Sequence, residues 1–211
     1  CEVSLNGADQ DNSATTGACS GDVGPGVRSQ GVELELGIYP ARNFAVNLGY
    51  TLADTKFRRN LVGSASGEPL DPALFLLAGR QMSNAPRNVV TSSVSWTPEI
   101  GDSGLSALFY VDGRLSSDYN TGSDLFIEKE QDGFFVMNAR IGLRGLDANW
   151  AIEAFAQNLL NENYQQVAFN APFQGAGSLA QVQRFGGVGN QIFSSFLAEP
   201  RTYGLTLRKR F

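Results

Sequence analysis

The sequence has 211 residues, of which 42% are hydrophobic and 24 are glycine, and its formal net charge is −5 at pH 7. This length suits a single domain, and a net acidic chain without a basic patch argues against nucleic acid as a partner. Histidine does not occur, which excludes a Ser-His-Asp triad and any zinc site that contains histidine. With no other catalytic pattern in the sequence, we expect no enzyme, no metal site and no cofactor.

The last thirteen residues alternate between two chemically different faces. One largely apolar face carries Tyr203, Leu205, Leu207, Lys209 and the terminal Phe211, and the other is polar and basic. Side chains alternate across a β-strand, so this stretch predicts one strand between two different solvents. A soluble strand can show the same alternation, but a strand that ends on a terminal aromatic residue is more typical of outer-membrane barrels.

Seven segments show this alternation. They are predicted at about 29–39, 44–57, 87–97, 105–117, 133–145, 150–160 and 199–211. Long connections at 58–85, 118–132 and 162–198 are separated by short turns. Short turns on one side and long loops on the other are typical of an outer-membrane barrel. No apolar run approaches the ~18 residues of a membrane helix, but barrel strands need no such run.

The alternation also assigns a solvent to each face. Glu33 and Glu35 share one face of the first strand, and two glutamates toward lipid would be costly, so that face is predicted to point inward. The same parity puts Leu143 toward lipid and Leu108 toward the lumen. Phe155 then also points inward. Other inward charges are expected to pair across strands or with a partner in the lumen; they are Asp112, Arg114, Arg140 and Glu153.

The first 28 residues are polar and glycine-rich, which predicts a loop. Cys1 and Cys19 lie in this loop. In an oxidising compartment they would pair as a disulfide and close the loop; two free thiols are the alternative. Because the first residues are polar, the stretch does not resemble a signal peptide. Since bacterial single-chain barrels have an even number of strands, seven strands predict that the sequence is the C-terminal part of a longer chain.

Four segments of the chain resemble the C-terminal part of a TonB-dependent outer-membrane receptor. They are GVELELGIYP at 31–40, LAGRQMSNAPRN at 77–88, FAQNLLNENY at 155–164 and EPRTYGLTLRKRF at 199–211. The third is the most specific, because a strand runs into Asn158-Leu159-Leu160-Asn161 and the segment closes with Tyr164.

The resemblance implies an all-β, transmembrane, antiparallel β-barrel of about 22 strands with a plug domain in its lumen. Residues 29–211 would supply its last seven strands, and residues 1–28 part of an extracellular loop. The resemblance also implies that the terminal strand is an assembly signal, carried by Tyr203, Leu205, Leu207 and Phe211.

The function implied by the resemblance is TonB-energised uptake of a scarce solute across the outer membrane of a Gram-negative bacterium. Siderophore-bound iron, cobalamin and oligosaccharides are the solute classes. The implied partners are outer-membrane lipid and lipopolysaccharide, the plug domain of the same chain, the TonB complex and the barrel assembly machinery. The plug and the TonB box are not in this sequence, so these residues alone are not expected to transport.

The connection at 162–198 is the candidate ligand-binding loop. Exposed aromatic side chains are unfavourable unless they cover something, and the loop carries several, with one positive charge among them: Phe169, Phe173, Arg184, Phe185, Phe193 and Phe196. They are expected either to pack on neighbouring loops or to clasp a ligand.

Two other classes of protein are alternatives to the transporter. One is a passive porin-type or enzymatic outer-membrane barrel, and the other is a soluble all-β ligand-binding module. The four family segments favour the transporter over the porin. Dependence on detergent would separate the soluble module from both.

Overall fold

Seven long strands form one antiparallel sheet in the computed structural model, which describes residues 26–59, 77–145, 149–173, 189 and 192–210. These strands are β1 (Val27–Ala41), β2 (Phe44–Phe57), β3 (Asn88–Trp96), β4 (Ser106–Ser116), β7 (Phe134–Arg144), β8 (Trp150–Gln157) and β11 (Thr202–Lys209). Their order in the sheet is β1-β2-β3-β4-β7-β8-β11. The seven predicted strands are therefore confirmed, with small differences at their ends.

Two small hairpins lie in the long connections. β5 (Tyr119–Asn120) pairs with β6 (Glu130–Gln131) across a 3-10 helix (Ile127–Lys129), and β9 (Gln165–Asn170) pairs with β10 (Phe193–Leu197). The sequence predicted only loops here. A strand of two residues is too short to produce a periodic signal, and the longer hairpin joins two segments that lie far apart in the sequence.

Several predicted features lie outside the described residues: Cys1, Cys19, Arg184, Phe185 and the terminal Phe211. The first strand was predicted to start at about residue 29, and β1 begins at Val27. No helix in the described ranges is long and apolar enough to cross a membrane.

One face of the sheet is apolar from strand to strand. The register aligns side chains of six strands in a single row: Phe44, Trp96, Phe109, Ile141, Ala154 and Leu205. The rings of Trp96 and Phe109 stack with their centroids 5.3 Å apart. Leu205 is 76% exposed and Leu207 is 75% exposed. Because a continuous apolar surface is unfavourable in water, this face fits the predicted lipid-facing surface.

The opposite face, which we call the polar wall, is held together by hydrogen bonds between strands. One row across it contains Gly37, Asn47, Ser93, Asp112 and Asn138. Asn47 Nδ2 donates to Ser93 Oγ at 3.2 Å, and Asn138 Nδ2 donates to Asp112 Oδ2 at 2.8 Å. Neighbouring polar side chains along the wall therefore satisfy one another's hydrogen-bonding groups.

Leu108 and Phe155 are large apolar side chains on the polar wall. Leu108 lies opposite Gly142 and is only 5% exposed. Phe155 lies opposite Gly204, and a Cβ atom built on Gly204 would overlap the Phe155 ring. The missing side chain of the glycine leaves room for the ring to lie over the neighbouring strand. The predicted inward positions of Leu108 and Phe155 thus agree with the strand register.

The turn after β8 is fixed by the side chain of Asn158, which is only 5% exposed. Its Nδ2 donates to the carbonyl oxygens of Glu162 at 2.8 Å and Glu199 at 3.1 Å, and its Oδ1 accepts from the Glu162 N–H at 2.8 Å. Its φ is +48°, a conformation that asparagine adopts more readily than most residues. Asn158 therefore joins the end of β8 to the segment that enters β11.

The two faces predict opposite responses to charge at neighbouring positions of β3. In the full-length protein, Val94→Arg places a charge on the apolar face, at a cost of about 2–4 kcal/mol near the bilayer midplane. Ser93→Arg is the matched control, because it places the charge on the polar wall beside Asp112. We expect the heat-modifiable, folded fraction in outer membranes to fall for Val94→Arg and to stay near the wild-type level for Ser93→Arg. Equal loss in both variants would contradict the assignment of faces.

The Asn158 contacts predict a difference between two asparagines of one turn. Asn158→Asp removes the donor that serves two carbonyl groups, each costing about 1–3 kcal/mol if left unpaired. The Asn161 side chain accepts from the Arg201 N–H at 3.3 Å through its Oδ1, so Asn161→Asp keeps that contact. We expect the unfolding temperature of the full-length protein in detergent to fall for Asn158→Asp only. A similar decrease for both would show that the donated bonds do not stabilise the turn.

Candidate functional site

Two adjoining cavities lie on the polar wall toward the long connections. Their volumes are about 510 and 250 Å³, and both are lined by Val136, Asn138 and Tyr164. We call them together the polar groove. Its lining also supplies hydroxyls, amides, one positive charge and two negative charges, from residues that include Asn47, Ser93, Tyr110, Gln157, Arg114, Asp112 and Glu199. Such a lining can form many hydrogen bonds with a polar solute.

An aromatic stack forms one side of the groove. The Tyr164 ring lies flat on the Phe134 ring, with centroids 3.9 Å apart and planes 11° apart. The Arg114 guanidinium lies 5.9 Å from the centroid of the same Phe134 ring. Phe134 is only 3% exposed, so the stack holds Tyr164 in one orientation at the groove surface. The groove therefore combines a fixed aromatic ring with a positive charge and hydrogen-bonding groups.

The loops beside the groove fold against one another. We call this part the loop cluster; it contains β5, the 3-10 helix and β6, packed on the hairpin of β9 and β10. Leu125 and Phe126 are nearly fully buried in it. Lys129 is also buried, with its Nζ 2.6 Å from Asp124 Oδ2, 4.8 Å from the Phe126 ring and 5.6 Å from the Phe193 ring. A carboxylate and two aromatic faces thus compensate the buried ammonium group.

Hydrogen bonds connect three different loops of the chain. Arg80 Nη1 donates to the Leu125 carbonyl at 2.9 Å, the Tyr119 hydroxyl donates to the Gln165 carbonyl at 3.1 Å, and the Gln165 N–H donates to Gln131 Oε1 at 2.7 Å. Burial raises the pKa of Tyr119 above its ordinary value, so its hydroxyl stays protonated as a donor. The loop cluster is therefore a packed unit rather than a set of independent loops.

Four of the six predicted ligand-binding residues lie in the described part of the chain, and none of the four lines the polar groove. Phe193 packs edge-on against Phe126 at 6.5 Å, and Phe169 packs against Phe196 at 5.6 Å. Phe173 is fully exposed just beyond β9. Phe193 therefore contacts a neighbouring loop, whereas Phe169 and Phe196 contact each other within one hairpin and are 39% and 64% exposed. A ligand contact by any of the four rings stays a prediction.

A group of charges occupies the polar wall near the short turns. Glu153 is 1% exposed, and its carboxylate lies 3.2 Å from Arg140 Nη1, 3.1 Å from Arg144 Nη2 and 3.7 Å from Arg208 Nη1. We call these four residues the arginine cluster. The sequence predicted that inward charges pair across strands, and Glu153 does so with arginines of β7 and β11. Among the described residues, no three His, Cys, Asp or Glu side chains are grouped to hold a metal ion.

A family model described as "TonB dependent receptor-like, beta-barrel" matches residues 4–159. The chain belongs to the TonB-dependent receptor family. No curated relative matches it in sequence. Two solved structures share its fold: the ferric yersiniabactin uptake receptor FyuA from Yersinia pestis, with 14% identity and a TM-score of 0.64, and the siderophore receptor PiuA from Acinetobacter baumannii, with 16% identity and a TM-score of 0.58.

This TonB-dependent receptor chain spans about a quarter or less of the two solved receptors. The match covers 88% of this chain and 24% of FyuA, and 86% of this chain and 21% of PiuA. Its seven antiparallel strands are consistent with the C-terminal portion of such a barrel. In that setting the apolar face meets lipid and the polar wall lines the lumen.

Sequence reasoning missed the polar groove because its parts come from distant segments. Phe134 lies on the polar wall in register with Ser116, and the segment at 155–164 ends with Tyr164. Nothing in the sequence indicated that these two rings would stack, because Tyr164 lies in a connection without periodicity. Tyr164 and Arg114 are therefore functional candidates that only the structure brings together.

Proposed function

We propose that this chain is part of an outer-membrane receptor that imports a metal-chelating solute of the siderophore class with energy from the TonB complex. The observation that carries the proposal is the polar groove on the lumen side of a sheet whose other face is apolar. Membership of the TonB-dependent receptor family supports the mode of energy supply. The two similar receptors, of which one takes up ferric yersiniabactin and the other is a siderophore receptor, favour this solute class.

The chemistry of the groove fits an oxygen-rich, partly anionic solute. Arg114 offers guanidinium donors to a carboxylate or phenolate oxygen, and the Tyr164 ring offers an apolar face to a planar part of the ligand. Asp112, which already accepts a hydrogen bond from Asn138, and Glu199 are the negative charges of the lining, and Arg114 is its positive charge. Oligosaccharide uptake is the second candidate, because an aromatic ring among amides and hydroxyls also suits a neutral sugar.

The cellular setting belongs to the same proposal. The protein would lie in the outer membrane of a Gram-negative bacterium, with its apolar face against lipid and lipopolysaccharide. The barrel assembly machinery would insert the protein and would recognise the terminal strand during that step, through Tyr203, Leu205, Leu207 and Phe211. The long connections would then face the medium, where the loop cluster lies beside the entrance to the groove.

Energised uptake predicts a specific phenotype for the full-length receptor. Produced in a bacterium that lacks its own siderophore receptors, it should restore growth on iron-limited medium with at least one member of a siderophore panel. Uptake of radioactive iron with that siderophore should disappear when the host's tonB gene is deleted. Growth on an oligosaccharide but on no siderophore would favour the second candidate, and TonB-independent passage would contradict both.

The groove residues predict where that solute binds. Loss of one charged hydrogen bond, worth about 1.5–3 kcal/mol, should weaken binding by roughly tenfold or more in the full-length Arg114→Gln variant, and Tyr164→Ala should weaken it through loss of the ring. Phe173→Ser tests the exposed loop residue in parallel. We expect fluorescence-quenching titrations to show weaker binding for the groove variants at unchanged surface levels. Weaker binding for Phe173→Ser alone would place the contact in the loop instead.

A further inference from the structure

We propose that a group of basic side chains at the long-connection end of β1 and β2 binds the phosphate groups of lipopolysaccharide. Arg28, Lys56 and Arg87 surround the carboxylate of Asp54, and we call these four residues the basic rim. The site depends on the outer-membrane location in the proposed function, but it does not depend on which solute is imported.

The basic rim adjoins the apolar face of the sheet. Arg28 pairs in register with Lys56, and Val32, four residues further along β1, pairs with Leu52. Asp54 lies between Leu52 and Lys56 on the same face, because side chains alternate along a strand. Val32 is 52% exposed, so it belongs to the surface assigned to lipid. The charges therefore continue the lipid-facing surface and not the polar wall.

The spacing between the charged and apolar rows fits the boundary of a membrane. Four residues span about 13 Å along a strand, and a strand tilt of about 40° reduces this to about 10 Å along the membrane normal. The headgroup region of one leaflet is roughly 5–8 Å thick, and long basic side chains bend toward a charged partner at that level. When the Val32 row borders the hydrocarbon, the basic rim thus lies among the headgroups.

The position of the basic rim along the strands decides which leaflet it meets. β1 begins and β2 ends at this level, whereas the short turn that joins the two strands lies at their other end. With the long connections toward the medium, the headgroups at the basic rim are those of the outer leaflet. Lipopolysaccharide is the anionic lipid of that leaflet, and its lipid A part carries phosphate groups.

The charges of the basic rim are only partly compensated within the part of the chain that the structure describes. Lys56 Nζ lies 2.7 Å from Asp54 Oδ1, but Arg28 Nη2 and Arg87 Nε are 3.8 and 4.0 Å from that carboxylate. One carboxylate among three cations leaves a net charge of +2. The Arg28 and Arg87 side chains are 61% and 59% exposed, and such exposed ion pairs contribute little to stability. Both guanidinium groups therefore keep donors available for a further anion.

A phosphate group attached to a lipid suits this arrangement better than a free anion. Guanidinium groups bind phosphate with two parallel hydrogen bonds, and basic side chains beside a membrane are attracted to anionic headgroups. A free ion would contact only the charges. Lipid A would at the same time cover the exposed Val32 and Leu34 side chains with its acyl chains, so both parts of this surface would find a partner.

Binding of lipid A to the full-length receptor in detergent tests the proposal. We expect native mass spectrometry to show that the double variant Arg28→Gln and Lys56→Gln binds bisphosphorylated lipid A about tenfold more weakly than wild type, because two charged hydrogen bonds are lost. The charge-preserving double variant Arg28→Lys and Lys56→Arg should regain most of the affinity. Dephosphorylated lipid A should bind equally to wild type and to the glutamine variant.

The matched control is the double variant Arg42→Gln and Arg210→Gln. It also removes two positive charges, but from the short turn between β1 and β2 and from the end of β11. It should bind lipid A as wild type does, and the heat-modifiable gel shift should confirm that every variant is folded.

Three results would overturn the proposal. They are equal affinity of wild type and the Arg28 and Lys56 glutamine variant for lipid A, an equal loss in the control variant, and displacement of lipid A by inorganic phosphate alone, which would indicate a site for a free ion. Failure of the receptor to import siderophores, with these lipid affinities as expected, would contradict only the proposed function.

Discussion

The fold depends on the alternation of side chains between lipid and lumen, kept in register across seven strands. A slip of one residue in any strand exchanges its two faces completely. In β8 such a slip would move Glu153 into lipid and Ile152 onto the polar wall. It would also break the contacts of Glu153 with arginines from two neighbouring strands. The arginine cluster therefore stabilises the register of β7, β8 and β11 at the same time as it charges the lumen surface.

Small residues on the polar wall determine how close its side chains lie to the sheet. Gly142 lets Glu153 lie against β7, and Gly204 does the same for the ring of Phe155. Ala151, which is 7% exposed, pairs in register with both Arg144 and Arg208. Side chains at these positions consequently project little from the sheet, which leaves space in the lumen beside the wall.

Local information explains which parts of this fold the sequence could predict. The strands and their faces follow from a two-residue period that each segment carries by itself, and even the inward position of Phe155 follows from parity. The loop cluster cannot be predicted from a local period, because the burial of Lys129 depends on Phe193, which lies 64 residues further along the chain. The stack of Tyr164 on Phe134 likewise joins two residues that are distant in the sequence. The aromatic loop residues were recognised, but whether they contact each other or a ligand is decided by long-range packing.

The polar wall contains two zones with different chemistry. A polar solute in the polar groove would form hydrogen bonds to hydroxyl and amide groups, which water can replace when the solute leaves. The arginine cluster lies nearer the short turns, and its guanidinium groups surround a carboxylate that is 1% exposed, where ion pairs are stronger than in bulk solvent. The wall therefore combines exchangeable hydrogen bonds toward the long connections with a fixed group of charges nearer the short turns.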